Sequence, residues 1–389
     1  MTSTLVKRAY KCRFYPDAEQ EQLLLRTFGC VRLVWNRMLE SRTTAWRTQR
    51  RSINYSESSA LLTEWKKTDE LAFLNEVSSV PLQQSLRHLH TAFQNFWGKQ
   101  SGYPRFKSRK KSRRSAEFTA SAFRFRDGNL FLAKCRNPLD IVWSRPLPAG
   151  ATPTTVTVSQ DRAGRWFVSL LVEEVVEHLP SSDDAVGIDM GLTHLATLST
   201  GEKIDNPRIG RKHARRLARA QRELSRKQPG SVNREKARLK VARINAKIAD
   251  TRRDHLHKLS TRLVRENQTI VIEDLGVAAM STAGGARKRG LNASIADASW
   301  SSLRSMLDYK CHWYGRDLVI IDRWFPSTQL CSHCGAQTGP KSDLTIRVWE
   351  CGGCGVVHDR DINAANNIKA AGLAVSVCGD GRSRRYAHL

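Results

Sequence analysis

Four cysteines constrain this chain more than any other feature. Cys331-Ser332-His333-Cys334 is followed by Cys351-Gly352-Gly353-Cys354, with 16 residues between the pairs. Two close pairs at this separation furnish four thiolates in the tetrahedral geometry of a structural zinc ribbon; the competing reading of a CxxC pair is redox exchange. A ribbon site is closed, with no open position for substrate, so its role is to fold residues 328–357 and to position the chain beyond them. His333 and His358 read as neighbours of the thiolates rather than as ligands. The other five cysteines, Cys12, Cys30, Cys135, Cys311 and Cys378, are scattered along the chain. Metal ligation suits a reducing compartment better than disulfides do.

The elements around the ribbon form a recognisable order. Ala185-Val186-Gly187-Ile188 is a short apolar strand, 193–199 a second, and 203–205 a third beyond the turn Thr200-Gly201-Glu202. A long helical region, 211–265, breaks only at Pro229-Gly230. Then come a buried strand at 269–272, an amphipathic helix at 296–314, a buried strand at 318–321, the cysteine segment, and a helix from Asp361. In this β-β-β-α-β-α-β order Asp189 ends the first strand, Glu273 ends the fourth, and Asp361 starts the last helix. Those are the places of the catalytic carboxylates of a ribonuclease-H-like sheet. Phosphodiester hydrolysis with two Mg²⁺ needs hard oxygen ligands converging from separate segments. Singly, each acid reads more readily as a turn cap or a surface carboxylate; the three together in this order favour the site. The segment 284–290, rich in glycine and cations, reads either as a lid over the carboxylates or as an ordinary loop.

The N-terminal half has a different character. Tyr10, Cys12 and Phe14 alternate with Lys11 and Arg13 as in a half-buried strand, and Pro16 stops it. Asp17 and Gln20 have capping-box spacing before Leu24, Phe28, Val31, Trp35 and Leu39, which recur on one helical face. Further helices follow at 56–65 and from Ser79, the latter with Leu82, Leu86, Leu89, Phe93 and Trp97 as its apolar face. Phe123 and Phe125, then Leu130 and Leu132, flank an Asp127-Gly128 turn as a hairpin. Segments 154–159 and 166–172 flank Asp161–Gly164 in the same way. Five or six strands of a small β-barrel, interrupted by helices at 17–98, account for this half. The polar stretch 174–184 reads as a linker.

Lys and Arg number 64 against 37 Asp and Glu, a net charge of +27 that draws in polyanions. Within 208–265 there are 20 basic and 4 acidic residues, too few acids for a merely solvated face of ion pairs, so this helical hairpin reads as a phosphate-tracking surface. Arg211, Arg215, Arg219 and Arg222 recur along one face of it. A second run, 105–114, has seven Lys/Arg and no acid, and beside it Tyr103 and Phe106 read equally as base-stacking rings or as core anchors. No apolar run approaches the ~18–20 residues that span a bilayer, and the first ten residues carry charges where a secretory peptide has its apolar core. The expectation is a soluble, unexported protein that acts in the cytoplasm at the nucleoid, with no membrane partner.

Gly187-Ile188-Asp189-Met190-Gly191-Leu192, Ile272-Glu273-Asp274-Leu275, the cysteine ribbon and Asp359-Arg360-Asp361-Ile362-Asn363-Ala364-Ala365-Asn366-Asn367-Ile368 together resemble TnpB, the insertion-sequence-encoded family ancestral to type V CRISPR effectors. Residues 10–36 resemble the family's N-terminal strand and helix, and Tyr103-Pro104-Arg105-Phe106-Lys107-Ser108 its Pro-x-Phe-Lys element, so the resemblance covers nearly the whole chain. It implies an α/β multidomain fold: a wedge β-barrel from 1–16 and 99–180, a helical recognition domain at 17–98, a RuvC nuclease domain at 181–327 and 358–389, and the zinc ribbon 328–357 as a target-nucleic-acid-binding insert. The implied activity is RNA-guided cutting of DNA beside a short transposon-adjacent motif, with target sequence read by base pairing. Implied cofactors are structural Zn²⁺ on Cys331, Cys334, Cys351 and Cys354, catalytic Mg²⁺ (two ions) on Asp189, Glu273 and Asp361, and a transposon-end guide RNA; the implied partner is double-stranded DNA. Motif reading falls to the wedge and recognition helices, which makes Gln83, Gln84, Tyr103, Arg105, Lys107 and Arg109 candidate contacts beside the four arginines. Asp274 and Asp359 stand close enough to the carboxylates for a supporting role. A protein-only transposase and a nuclease-inactive RNA-guided repressor are the rival readings, the latter expected to lack a carboxylate that this chain retains. The residues after Ala371 match nothing interpretable, and 379–385 reads as disordered.

Overall fold

Period-2 and period-3.6 patterns partition the chain much as their spacing dictates. The computed structural model describes residues 2–341, 343 and 345–377, so Cys378 and the segment 379–385 lie outside it. Two compact units emerge, Leu5–Glu174 and Met1–Thr4 with Val175–Leu389.

In the first unit, β1 (Ser3–Tyr15) buries Tyr10, Cys12 and Phe14. Helix α1 (Ala18–Gln49) follows at Asp17, whose carboxylate accepts from the Gln20 amide at 2.8 Å while the Gln20 side chain accepts from the Asp17 amide at 3.2 Å. Both arms of the capping box are made. Helix α2 spans Tyr55–Trp65 and α3 Ser79–Trp97. Leu82, Leu86, Leu89 and Phe93 of α3 are buried, but Trp97, at the last turn, is exposed with its ring beside Phe93. The strands are β2 (Arg114–Thr119), β3 (Phe123–Arg126), β4 (Asn129–Leu132), β5 (Asp140–Val142), β6 (Thr155–Gln160) and β7 (Trp166–Glu177). Five of them form one sheet in the order β2-β6-β7-β1-β5, and β3-β4 is the expected hairpin, its turn using positive φ at Asp127 and Gly128. Strands β2 and β5 carry too little alternation to be read from sequence. Sheet and helices share one core in which Trp166 stacks on Phe28 with ring centroids 5.7 Å apart. The 17–98 helices are thus packed on the strands and not separated from them. Strand β7 runs to Glu177, and the rest of the expected linker is tied down: Leu179 N–H donates to Tyr314 O, and Arg316 to Pro180 O.

The second unit centres on a five-stranded sheet ordered β10-β9-β8-β11-β12, built from β8 (Ala185–Asp189), β9 (His194–Leu198), β10 (Lys203–Asp205), β11 (Thr269–Glu273) and β12 (Asp317–Ile321). β8, β11 and β12 are mutually parallel, while β9 and β10 are antiparallel additions. Helices α4 (Ile209–Ser225) and α5 (Val232–Glu266) form the basic hairpin, broken between them as Pro229-Gly230 requires. Short α6 (Val277–Met280) precedes α7 (Ala286–Ala298) and α8 (Trp300–Tyr314). The single helix expected at 296–314 is therefore two, bent at Ser299 in the left-handed region (φ 56°), and most of the segment expected as a lid or loop is the start of α7. Hairpin β13 (Val348–Glu350) and β14 (Val357–Asp359) belongs to the cysteine segment, and α9 (Arg360–Val377) follows directly.

Alternation along the parallel strands decides which helix meets which face. Val186, Ile188, Ile270 and Ile272 pack with Leu256, Leu259 and Leu263 of α5 and Leu303 and Leu307 of α8. Val271 packs on the opposite face with Ile368 of α9. On that face Gly187 has no room for a side chain: a Cβ there would overlap the Ala365 carbonyl oxygen and stand 2.5 Å from the Lys369 amide nitrogen. Helix α9 therefore lies with its backbone directly on β8. Gly187→Ala should cost about 3 kcal/mol, the upper end of overpacking penalties, because both obstacles are backbone. Chemical denaturation checks this, with Gly290→Ala, where nothing lies within 4 Å, expected to cost nothing.

Candidate active site

Two residues beyond Gly187 on β8 comes Asp189, and two beyond Val271 on β11 comes Glu273. Since side chains repeat every second residue in a strand, both carboxylates point to the face that α9 covers. The register sets them level: Ile188 pairs with Ile272, so Asp189 and Glu273 end adjacent parallel strands on the next rung. On α9, Ala365 and Lys369 are the residues seated on Gly187, and Asp361 lies one turn before Ala365 on the same stripe. Three acids distant in sequence are thus brought together by one sheet face and one helix.

The electrostatics agree. Burial first, then the Glu273 and Asp361 carboxylates, push the Asp189 carboxyl up to about 7, against the lowering influence of Arg360 and Arg347. Burial also raises the Glu273 carboxyl, opposed by a hydrogen bond from Ser327 Oγ to Glu273 Oε1 at 2.5 Å. A carboxyl raised by neighbouring carboxylates in a partly buried place is a favoured site for cations. Among the described residues the four thiols of the ribbon are the only group of three or more His, Cys, Asp or Glu with all ligand atoms within 4.8 Å of one another, so the three acids are more widely spread than the ligands of one small ion. A spread donor set of hard oxygens fits magnesium, and two ions better than one.

The acids on either side have other duties. Asp359 accepts from the Asp361 and Ile362 amides, both at 3.1 Å, and from Lys203 Nζ at 2.6 Å, so it caps α9 and ties it to β10. Asp274 is clamped by Arg304, at 2.5 Å, and by Arg323. Arg347, from the ribbon, reaches Asp361 Oδ1 at 3.4 Å.

The ribbon's sulfurs pair across the cluster, Cys331 to Cys354 at 3.7 Å and Cys334 to Cys351 at 3.6 Å. Zinc–sulfur bonds of about 2.3 Å place tetrahedral sulfurs about 3.8 Å apart, so the thiols suit zinc. Each knuckle is closed by a glycine at positive φ, Gly335 (77°) and Gly355 (72°), whose amides donate to the carbonyls of Cys331 and Cys351. The Thr338 hydroxyl and the Gly353 amide hold the Cys351 thiol down to about 6. His358 is a neighbour, as expected, but an engaged one, with Nε2 3.0 Å from Cys331 Sγ and its ring against Trp349.

Sequence reasoning missed the clamps between ribbon and site. Asn363 donates to Leu330 O at 2.7 Å and accepts from the Ser332 amide at 2.8 Å; Asn367 donates to Ser327 O and Leu330 O. The signal available was the i,i+4 spacing of the two asparagines beside two alanines that are fully buried. Ser327 gave no signal at all.

The candidate nucleic-acid contacts divide by environment. Arg211, Arg215, Arg219 and Arg222 are all exposed along α4, away from Leu217 and Ala220, which pack on Ile244 and Ile248 of α5. In the first unit Arg105 and Arg109 are exposed, as is Gln83, while Gln84 is half-buried. Lys107 turns inward, its ammonium 3.6 Å from the centroid of the Trp35 ring and brought down to about 8 by burial. Its backbone is bracketed by Asn36, and Trp35 Nε1 donates to Arg105 O, so 103–108 is docked on α1. Tyr103 is the anchor of the two rings, edge-on to Phe93 and Phe96 with its hydroxyl 2.8 Å from that of Thr43; Phe106 stays 62% exposed.

A protein of Streptomyces pristinaespiralis named "Putative RNA-guided DNA endonuclease" is 65% identical over 97% of this chain and 92% of its own length. The chain belongs to the TnpB family. A second relative, "Putative RNA-guided DNA endonuclease InsQ" of Escherichia coli, is 35% identical over 96% of this chain and 94% of that one. Families described as "Probable transposase", "Cas12f1-like, TNB domain" and "Helix-turn-helix domain" match residues 167–284, 300–368 and 1–51. In this TnpB the last of these regions is a strand followed by one continuous helix. The protein chain of a Cas12f1-sgRNA-target DNA complex superposes with a TM-score of 0.57 at 12% identity, covering 94% of this chain and 99% of that one, which establishes a shared fold. No helix among the described residues is long and apolar enough to cross a membrane.

Proposed function

We propose that this TnpB is an RNA-guided DNA endonuclease of a transposable element, cutting beside a short transposon-adjacent motif in a RuvC-type site. The observation that carries the reading is the convergence of Asp189, Glu273 and Asp361 on the face where α9 meets β8 and β11. Those three side chains would hold two magnesium ions, whose chemistry is activation of water and stabilisation of the departing oxygen. The chain's own residues do the positioning. Ser327 orients Glu273, the Asp359 cap and the Gly187 contact fix Asp361 above the strand ends, and Arg347 balances part of its charge. The relatives' names and the excess of 20 basic over 4 acidic residues in 208–265 support an RNA partner tracked by its phosphates, and double-stranded DNA as target. Residues 1–16 with 99–180 would act as the wedge, 17–98 as recognition helices, 181–327 with 358–389 as the nuclease, and 328–357, with zinc on its four thiols, as its target-nucleic-acid-binding insert. Gln83, Gln84, Arg105 and Arg109 remain the proposed contacts of the first unit. Action at the nucleoid in the cytoplasm accords with that reading.

Guide exchange tests it. Two plasmids share the adjacent motif and differ in the sequence beside it, and RNA copurifying with the protein is sequenced and re-programmed. Cleavage should switch plasmids with the guide and vanish in protein freed of RNA, because phosphate contacts position without reading bases. Cutting indifferent to the guide would mark a protein-only transposase, and guided binding that leaves DNA intact with Mg²⁺ would mark a repressor.

A further inference from the structure

Of the ten tryptophans Trp324 is the most exposed, with 84% of its surface accessible, and among the described residues it makes no ring or cation contact. An exposed indole offers a partner a large, rigid apolar face to cover. Its backbone is nevertheless fixed. The Trp324 amide donates to Asp322 Oδ1 at 2.7 Å, the Phe325 amide to Asp322 O at 3.2 Å, and the Ser327 amide to Phe325 O at 2.8 Å. On one side Arg323 is tied to Asp274; on the other Phe325 packs with Val271, Ile321 and Ile368. The ring therefore projects from a rigid turn between β12 and the ribbon.

That turn ends at the active site. Ser327 touches Glu273, and three residues of chain reach at most about 11 Å, so Trp324 lies within that span of Ser327. At about 3.4 Å or more per nucleotide, a base stacked on the indole is within a few nucleotides of a phosphate at the carboxylates. We propose that Trp324 is a stacking platform for an unpaired base of the DNA strand being cut, and so a positioning residue for the scissile phosphate. The inference rests on the nuclease reading. A base in a duplex has both faces occupied, whereas guide pairing displaces and unstacks a strand, which supplies the free face.

The test compares the guide complex of the parent with Trp324→Ala, Trp324→Leu and Trp324→Phe on targets carrying one abasic site, moved nucleotide by nucleotide around the cut. Trp324→Ala and Trp324→Leu should lose about tenfold in kcat/KM on intact target, the scale of a lost base–aromatic stack, and Trp324→Phe should recover most of it. Melting temperatures should match the parent. One abasic position should slow the parent about tenfold and leave Trp324→Ala no slower than before. Effects of base and ring that multiply, a Leu variant as good as Phe, or a parent dimer lost in Trp324→Ala would overturn the proposal, the last by assigning the indole to a protein contact. A fluorescent base analogue at the sensitive position, quenched in single-stranded DNA by the parent and not by Trp324→Ala, reads the stack without cleavage. Quenching without any guided cutting by the parent would sink the nuclease reading and spare the stack.

Discussion

Asp189→Ala, Glu273→Ala and Asp361→Ala should each reduce Mg²⁺-dependent cleavage at least about a thousandfold, the rate equivalent of the several kcal/mol that a catalytic metal site supplies. Guide RNA and target binding should stay within about twofold of the parent, since the exposed arginines of α4 proposed to track phosphates are other residues. Asp189→Ala is also expected to melt no lower than the parent without divalent ions. It removes a carboxyl that burial, with the Glu273 and Asp361 carboxylates beside it, already holds well above the usual carboxylate range. Single-turnover cleavage, filter binding and thermal melting check the three parts. Normal cutting by Glu273→Ala would dismantle the assignment.

The second large effect reaches the same site from the ribbon. Purified protein should contain about one zinc per chain, and Cys331→Ser or Cys354→Ser should lose it and open 328–357 to proteolysis, because ligation folds such a module outright. Cleavage should then fall about 10–100-fold although none of the three proposed magnesium ligands is touched. The coupling runs through hydrogen bonds: without the ribbon's first knuckle, Asn363 and Asn367 lose Leu330 O, the loop holding Ser327 loosens, and Glu273 loses its hydrogen bond. A zinc-free variant that cuts at the parent's rate would show that the clamp carries no positioning. Metal analysis with no zinc and the thiols paired as disulfides would remove the ribbon reading altogether.

Local chemistry was enough where a pattern repeats within a few residues. Capping at Asp17, the Asp127-Gly128 hairpin, the CxxC knuckles and the apolar strands around 186–188 and 270–272 follow from spacing alone. Spacing failed where packing outvotes pattern: Ser299 divides one expected helix into two, α7 occupies an expected loop, and β2 and β5 form only because neighbouring strands offer edges. Asp189, Glu273 and Asp361 were legible as candidates because each stands at the end or start of an element. What tertiary structure alone decided is their common face. Parallel register between β8 and β11 levels two of them, and the contact of α9's backbone with Gly187 brings in the third. Ser327, Arg347, Asn363 and Asn367 likewise acquire meaning only in three dimensions, since a hydrogen bond between residues 54 apart in the chain, as from Ser327 to Glu273, leaves no trace in spacing.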